Sequence, residues 1–322
     1  MLTLSSILAL WKDSQPIYIV THERPDGDAV GSQVALTLYL RHLQVPAFAF
    51  LTDDLSETFR PFFQNVPTQS LSGFSRQAHW VAVDAGNPTR VAEAVRSYPF
   101  TLVIDHHPEE PENLCWGSFR LIQPQQSSTC ELLLDFFTAN GYRMDCPAIQ
   151  EALYLGLMSD TGNFSNTNTT AATFAHAEQL ARAGVRPYQQ VQRLYKNKTQ
   201  VQWQLYSLFL RRVQVYAEGA VVISFLTEAD YAQLGVTRQD TEGFVNQLLL
   251  LKTAKVAAFL EKNTAYIKGS LRSCDPTFPV HTVAKHWGGF GHRCAAGFQC
   301  EPNQFSIDDL VQQLTATIAS KA

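Results

Sequence analysis

His22-Glu23-Arg24-Pro25-Asp26-Gly27-Asp28 carries an imidazole and two carboxylates at positions i, i+4 and i+6 of one short stretch. Pro25 and Gly27 favour a tight turn, which would bring the three side chains to one point. One neutral imidazole with two carboxylates is a hard, oxygen-rich donor set, better suited to Mn²⁺ or Mg²⁺ than to a closed structural zinc. Asp84, Asp105-His106-His107 and Asp160 offer the same chemistry elsewhere in the chain. Each has an ordinary explanation by itself: Asp28 or Asp84 as a helix cap, His106 as a satisfied core histidine. Jointly, His22, Asp26, Asp28, Asp84, His106 and Asp160 make a set large enough for two hard cations about 3.5–4 Å apart. That arrangement serves phosphoryl chemistry by activating a water and clamping the phosphoryl oxygens.

Elements must exist to carry these donors, and the hydrophobic pattern supplies them. Residues 17–21 read as a buried strand leading into the first cluster, and 34–43 as a mostly buried helix behind it. Residues 46–51, 79–83 and 100–104 read as further strands, the last two ending at Asp84 and at Asp105-His106-His107. A short helix is expected over 88–95, opened by its proline. Ser127-Ser128-Thr129 with Glu131 marks a helix start. A helix over 147–158 runs into Asp160, and helices over 170–183 and 188–195 follow. Strands alternating with helices predict an α/β fold with a mostly parallel sheet, whose carboxyl edge is where ligands bind. Residues 200–212 read as a helix linking two lobes. Beyond it, 213–225 and 254–271 each read as a strand pair.

Composition narrows the class. A chain of 322 residues with 45% hydrophobic content buries a sizeable core and suits about two domains. A net charge of −4 argues against a bulk basic surface for long duplex nucleic acid, while leaving room for a local basic cleft. The six cysteines form no CxxC pair. No apolar run reaches membrane-spanning length, and Met1-Leu2-Thr3-Leu4 lacks the features of a signal peptide. A reduced, cytoplasmic enzyme is expected.

The combination His22-x-x-x-Asp26-x-Asp28, Asp84, Asp105-His106-His107 and Asp160 closely resembles the DHH phosphoesterase family. The C-terminal part resembles that family's DHHA1 domain, through Gly288-Gly289-Phe290-Gly291-His292 and Ala295-Ala296-Gly297. Arg272 matches its phosphate-contacting arginine segment. The resemblance implies a DHH catalytic domain over 1–198, a helical linker over 199–212 and a smaller α/β DHHA1 domain over 213–322. It implies two Mn²⁺ ions, with Mg²⁺ as the substitute. His22, Asp26 and Asp84 would hold one ion, and Asp28, Asp84, His106 and Asp160 the other. His107 would meet the scissile phosphate or act as acid, with Asp105 orienting a histidine. Arg272, Gly288, Gly289, Gly291 and His292 would bind substrate, the glycines as a nest of backbone N–H groups.

Within the family, the nanoRNase-type branch implies hydrolysis of short oligoribonucleotides and of 3′-phosphoadenosine 5′-phosphate. Linear or cyclic dinucleotides of the pApA and c-di-AMP type are the alternative substrates. A catalytically silent nucleotide-binding regulator is the alternative of another class, disfavoured because all six metal donors are present. One position departs from the pattern: several oligoribonuclease-type relatives carry a basic residue where this chain has Asn163.

Overall fold

The computed structural model describes residues 11, 15–52, 55–108, 116–241, 243–291 and 293–319. The chain divides into two compact units, Met1–Asn197 and Lys198–Ala322.

In the first unit, six strands form one sheet: β1 (Ile17–Val20), β2 (Ala47–Leu51), β3 (Thr68–Ser70), β4 (His79–Val83), β5 (Phe100–Asp105) and β6 (Phe119–Ile122). Their order is β3-β2-β1-β4-β5-β6, and every neighbouring pair is parallel. The central strands are covered on both faces, which is why they read as continuous apolar runs rather than alternating ones. In β1, Ile17 and Ile19 enter one core while Tyr18 and Val20 enter the other. Each fully buried isoleucine stabilises the fold by about 1.5–3 kcal/mol. The strand order reverses between β1 and β4, so chains leaving those two carboxyl ends part in opposite directions and open a crevice.

One face of this sheet is packed by α1 (Gly27–His42), α2 (Thr129–Ala139) and α3 (Pro147–Asp160); α4 (Ala171–Arg182) and α5 (Pro187–Tyr195) follow them. The opposite face is covered largely by aromatic side chains, with Trp80 stacked on Tyr98. Helix α1 begins seven residues before the hydrophobic pattern alone indicates. Its cap is Asp26, whose Oδ1 accepts the N–H groups of Asp28 and Ala29 at 3.0 and 3.1 Å. Asp28 therefore lies inside the first turn instead of capping it. Helices α1 and α3 meet backbone to backbone. A Cβ on Gly31 would lie 2.4 Å from the Ala152 carbonyl oxygen, and one on Gly156 would lie 2.4 Å from Asp28 Oδ1.

The helix expected over 88–95 is instead two fragments. A 3₁₀ turn, Pro88–Arg90, and a single helical turn, Glu93–Arg96, are separated by extended backbone at Val91 and Ala92.

The second unit contains α6 (Gln200–Arg211), β7 (Gln214–Tyr216), β8 (Val221–Thr227), α7 (Glu228–Leu234), α8 (Phe244–Leu248), β9 (Val256–Lys262), β10 (Ile267–Ser273), α9 (Val280–His286), β11 (Phe290–Gly291), β12 (Ala295–Cys300) and α10 (Ile307–Ala319). The sheet order is β11-β12-β10-β9-β8-β7. Both expected strand pairs are present, and they join through a parallel β8–β9 pairing. The segment carrying α7 and α8 makes that crossover. Leu205 and Phe209 of α6 are buried in a core of this unit. The mixed α/β class expected from the sequence is the class observed.

Candidate metal centre

The crevice between β1 and β4 is where the donors gather. His22 lies two residues beyond β1, Asp26 caps α1, and Asp28 stands in its first turn. Asp84 follows β4 in a left-handed conformation, φ 51°, which aspartate tolerates better than most residues but at a cost of about 1–3 kcal/mol. His106 and His107 follow β5, and Asp160 is the last residue of α3.

The donor atoms fall into overlapping groups. One is His22, Asp26 and Asp84, another is Asp28, His106 and Asp160, and a third is Asp84, His106 and His107; within each, the ligand atoms lie within 4.8 Å of one another. His22 Nε2 is 3.9 Å from both Asp26 Oδ2 and Asp84 Oδ2. His106 Nε2 is 3.7 Å from Asp84 Oδ1 and 3.5 Å from Asp160 Oδ2. The two oxygens of Asp84 thus approach different histidines. These separations are too long for hydrogen bonds, but ligands about 2.1 Å from a shared octahedral ion stand about 3–4 Å apart.

The histidines are oriented for coordination. The Nδ1 of His22 donates to the Glu23 carbonyl at 2.9 Å, and that of His106 to the Gln126 carbonyl at 3.3 Å. Both Nε2 atoms then carry the lone pair and face the carboxylates, the second-partner arrangement typical of metal-bound histidine. His22 Nε2 is buried without a hydrogen-bond partner, an orphan that a cation would satisfy.

Helix α2 contributes support that the sequence did not reveal. Its first two N–H groups, from Thr129 and Cys130, donate to Asp28 Oδ2 and Oδ1 at 2.7 and 3.0 Å. Asp28 thereby occupies the anion-favouring end of a second helix. Thr129 Oγ1 donates to Asp84 Oδ1 at 3.0 Å, while Ser128 caps α2 by accepting from the Glu131 N–H. Asn168 Nδ2 donates to the carbonyls of Ser127 and Asp160, and Asn166 Nδ2 also reaches the Asp160 carbonyl. Asn163 stands at φ 57° in the left-handed turn after Asp160, a conformation that suits asparagine better than a long basic side chain.

A second histidine cluster supports the same segment. His176 on α4 pairs with Glu131 Oε1 at 2.9 Å through Nδ1 and with Asp135 Oδ1 at 2.8 Å through Nε2. Glu131 Oε2 accepts the Ser127 N–H, and Asp135 accepts from Gln126 Nε2. The chain that orients His106 is therefore tied to α4.

Crowded carboxylates set the electrostatics. Burial pushes Asp84 well above the usual carboxylate range, and the charges of Asp28, Asp26, Asp105 and Asp160 push it further. Asp160 is raised to about 8, by burial first and then by Asp28, Asp26 and Asp105, against the pull of His106. Asp28 is raised as well, by burial first, although His106 and two backbone N–H groups oppose the shift. Four carboxylates so close cannot all ionise without positive charge among them, and divalent cations supply it.

His107 is held differently. Its Nδ1 lies 2.6 Å from Asp105 Oδ1, and its Nε2 is 3.5 Å from Arg90 Nη1. Asp105 also accepts the N–H groups of His107 and Gly86. Burial favours its neutral form, but the His107 contacts and these N–H groups outweigh that and hold it at about 2.

The expected substrate residues lie in the second unit. Arg272 is on β10, opposite Ala257 and Ala295, and its Nη1 donates to the Leu271 carbonyl at 2.9 Å. Gly288, at φ 70°, ends α9 in a Schellman motif: its N–H donates to the Lys285 carbonyl and that of Gly289 to the Ala284 carbonyl. Those two N–H groups serve the helix end instead of forming an open nest. Gly291 pairs with Ala296 across β11 and β12. His292 lies outside the described residues.

A parallel α/β sheet with acidic and imidazole donors at its reversal point makes a carboxyl-edge site whose clusters are able to hold metal. Residues 16–157 match the DHH family, N-terminal domain, so the first unit of the chain carries a domain of that family. The chain is 29% identical over 282 residues to the bifunctional oligoribonuclease and PAP phosphatase NrnA of Thermus thermophilus, covering 88% of this chain and 83% of that one. To the protein of the same name from Bacillus subtilis it is 26% identical over 289 residues, covering 87% and 88%. Among solved structures, an exopolyphosphatase-related protein from Bacteroides fragilis shares the fold with a TM-score of 0.83 at 22% identity, covering 98% of this chain and 95% of that one. The chain is a hydrolase acting on phosphate esters. No helix among the described residues is long and apolar enough to cross a membrane.

Proposed function

We propose that this protein is a cytoplasmic, two-metal phosphodiesterase that degrades short oligoribonucleotides and removes a phosphate from 3′-phosphoadenosine 5′-phosphate. The observation that carries the reading is the disposition of Asp84, one oxygen toward His22 and the other toward His106, within a cluster of carboxylates that burial and mutual repulsion hold short of full ionisation. His22, Asp26 and Asp84 would hold one Mn²⁺, and Asp28, Asp84, His106 and Asp160 the second, with Mg²⁺ as a substitute. Bound there, such cations acidify water and polarise a phosphoryl group.

The chain's own residues do the rest. Thr129 and the N-terminus of α2 fix Asp84 and Asp28 before substrate arrives. Asp105 aligns His107 through Nδ1, leaving Nε2 to hold the proton passed to the leaving oxygen. Residues 1–198 form the catalytic domain in this reading, and the domain beyond the 199–212 helix selects the substrate. Arg272 is its anion-binding group in this reading, with Gly288, Gly289, Gly291 and His292 as the further substrate-binding residues that the family resemblance implies. The two relatives named as oligoribonuclease and PAP phosphatase support this substrate class.

The test is a Mn²⁺-dependent hydrolysis screen of the purified protein. It spans di- to pentaribonucleotides, cyclic dinucleotides, 3′-phosphoadenosine 5′-phosphate and pyrophosphate. Preference for the short linear RNAs and the bisphosphonucleotide is the expected result. Exclusive turnover of cyclic dinucleotides or pyrophosphate would overturn the assignment.

A further inference from the structure

Arg90 stands beside the metal centre, next to His107. Among the described residues no carboxylate pairs with its guanidinium; the side-chain contact is His107 Nε2, 3.5 Å from Nη1. Elsewhere in the chain an arginine in a similarly half-buried setting is paired: Arg212 meets Asp230 through both nitrogens, at 2.5 and 2.7 Å. The charge of Arg90 is nonetheless felt across the site, since it disfavours the charged form of His22 and favours that of Asp26.

The backbone carrying Arg90 is fixed from three sides. Its carbonyl accepts the Glu23 N–H at 2.8 Å, tying the turn after β4 to the loop after β1. Asn87 caps the Pro88–Arg90 turn by accepting the Thr89 N–H at 2.9 Å. Arg96 Nη2 clamps the carbonyls on either side, Thr89 at 2.8 Å and Val91 at 2.9 Å. Gly86, at φ 71°, has no side chain to crowd the group; a Cβ there would come within 3.4 Å of Arg90 Nη1. A guanidinium offers five N–H donors in a rigid fork that matches phosphate oxygens, and among the described residues most of that capacity is unspent.

Resting on the function proposed above, we propose that Arg90 is a phosphate-binding catalytic residue, donating to a non-bridging oxygen of the same phosphoryl group that His107 addresses. The metal ligands present negative charge to the cations, so a phosphoryl group docking there still needs donors for the oxygens that face away from the metals. Arg90 and His107 are neighbouring nitrogens on that side. The role is distinct from the Arg272 role, because Arg90 belongs to the unit that carries the metal donors.

The experiment uses the full-length Mn²⁺-loaded protein and the variants Arg90→Gln and Arg90→Lys. Metal content is measured by elemental analysis, binding of inorganic phosphate and of AMP by calorimetry, and kcat/KM on a diribonucleotide. The expected result is unchanged Mn²⁺ content with roughly 10- to 100-fold weaker phosphate and AMP binding in R90Q, the span of a lost charged hydrogen bond. A drop of about 10²–10³ in kcat/KM should accompany it, with partial recovery in R90K. Unchanged phosphate affinity alongside lower kcat would overturn the proposal, because Arg90 would then only orient His107. Loss of Mn²⁺ from R90Q would overturn it equally. A wild-type protein that binds phosphate through Arg90 yet hydrolyses no ribonucleotide would leave this inference standing and sink the substrate assignment.

Discussion

Replacing His176 with glutamine isolates one charged support of the site without touching a metal donor. The imidazole is 13% exposed and lies between Glu131, 1% exposed, and Asp135, 51% exposed. Hydrogen bonds to Asp135 and then Glu131 raise it from 6.5 to about 9, against the opposing effect of burial. At about 1.4 kcal/mol per pH unit, that displacement corresponds to a ceiling of about 3.4 kcal/mol. Solvent screens the half-exposed Asp135 pair, so about 2 kcal/mol is the working figure. The sign follows from linkage: a group whose pKa is raised by folding binds its proton more tightly in the native state. Its contribution is complete below pH 6.5 and disappears as the pH rises through 9. Urea unfolding of wild type and H176Q, compared from pH 6 to pH 10, is the assay. Wild type should exceed the variant by about 2 kcal/mol at pH 6, and the two should converge near pH 10. A gap that stays constant over that range would refute the paired-imidazolium account.

Asp84→Asn should lower Mn²⁺ occupancy as well as turnover, since an amide is a poor substitute for a carboxylate facing two histidines; full double occupancy by elemental analysis would contradict that. Thr129→Val keeps the volume but removes the hydroxyl bonded to Asp84, and should weaken metal affinity or activity about 10- to 100-fold, read by metal titration. His107→Ala should retain metal and lose about 10²–10⁴ in kcat, whereas His106→Ala should lose metal; equal metal loss in both would remove the distinction. Gly156→Ala would drive a methyl group toward Asp28 Oδ1 and Cys130 Sγ, so it should destabilise the fold by about 1–3 kcal/mol and reduce metal binding together, measured by thermal unfolding and titration.

The donors were legible because each ends an element with a strong local signal. β1, β4 and β5 are short apolar runs with histidine or aspartate at their end or within two residues of it, and α3 runs unbroken to Asp160. Their supports were not legible, because proximity in space brings them together. Thr129 looks like a helix start, which it is, yet its hydroxyl bonds to a residue 45 positions away. Arg90 sits where an uninterrupted helix was expected, and only the break at Val91 and Ala92 turns that segment into a clamp. In the second unit the strand pairs were readable from their turns, but the parallel β8–β9 pairing depends on a crossover that local pattern does not encode. Strands β3 and β11 are short and largely exposed edges, with no hydrophobic pattern to announce them. The glycine loop was readable as glycines, whereas the spending of two of its N–H groups on the end of α9 was not.

The contact between α1 and α3 sets a gauge for the chemistry. Gly31 meets the Ala152 carbonyl and Gly156 lies against Asp28 and Cys130 Sγ, so at these two positions neither helix adds a side chain of its own to the seam. Asp28 stands at the start of one and Asp160 at the end of the other, more than 130 positions apart in the chain. The spacing of the two backbones that carry those carboxylates is therefore ruled by main-chain thickness, a dimension that gradual substitution in the core cannot adjust. Sequences could drift widely in the layers around this seam while the separation of those two donors, which share one cluster with His106, stayed the same. Tolerance of the scaffold and intolerance of the site would then have a common origin in a missing methyl group.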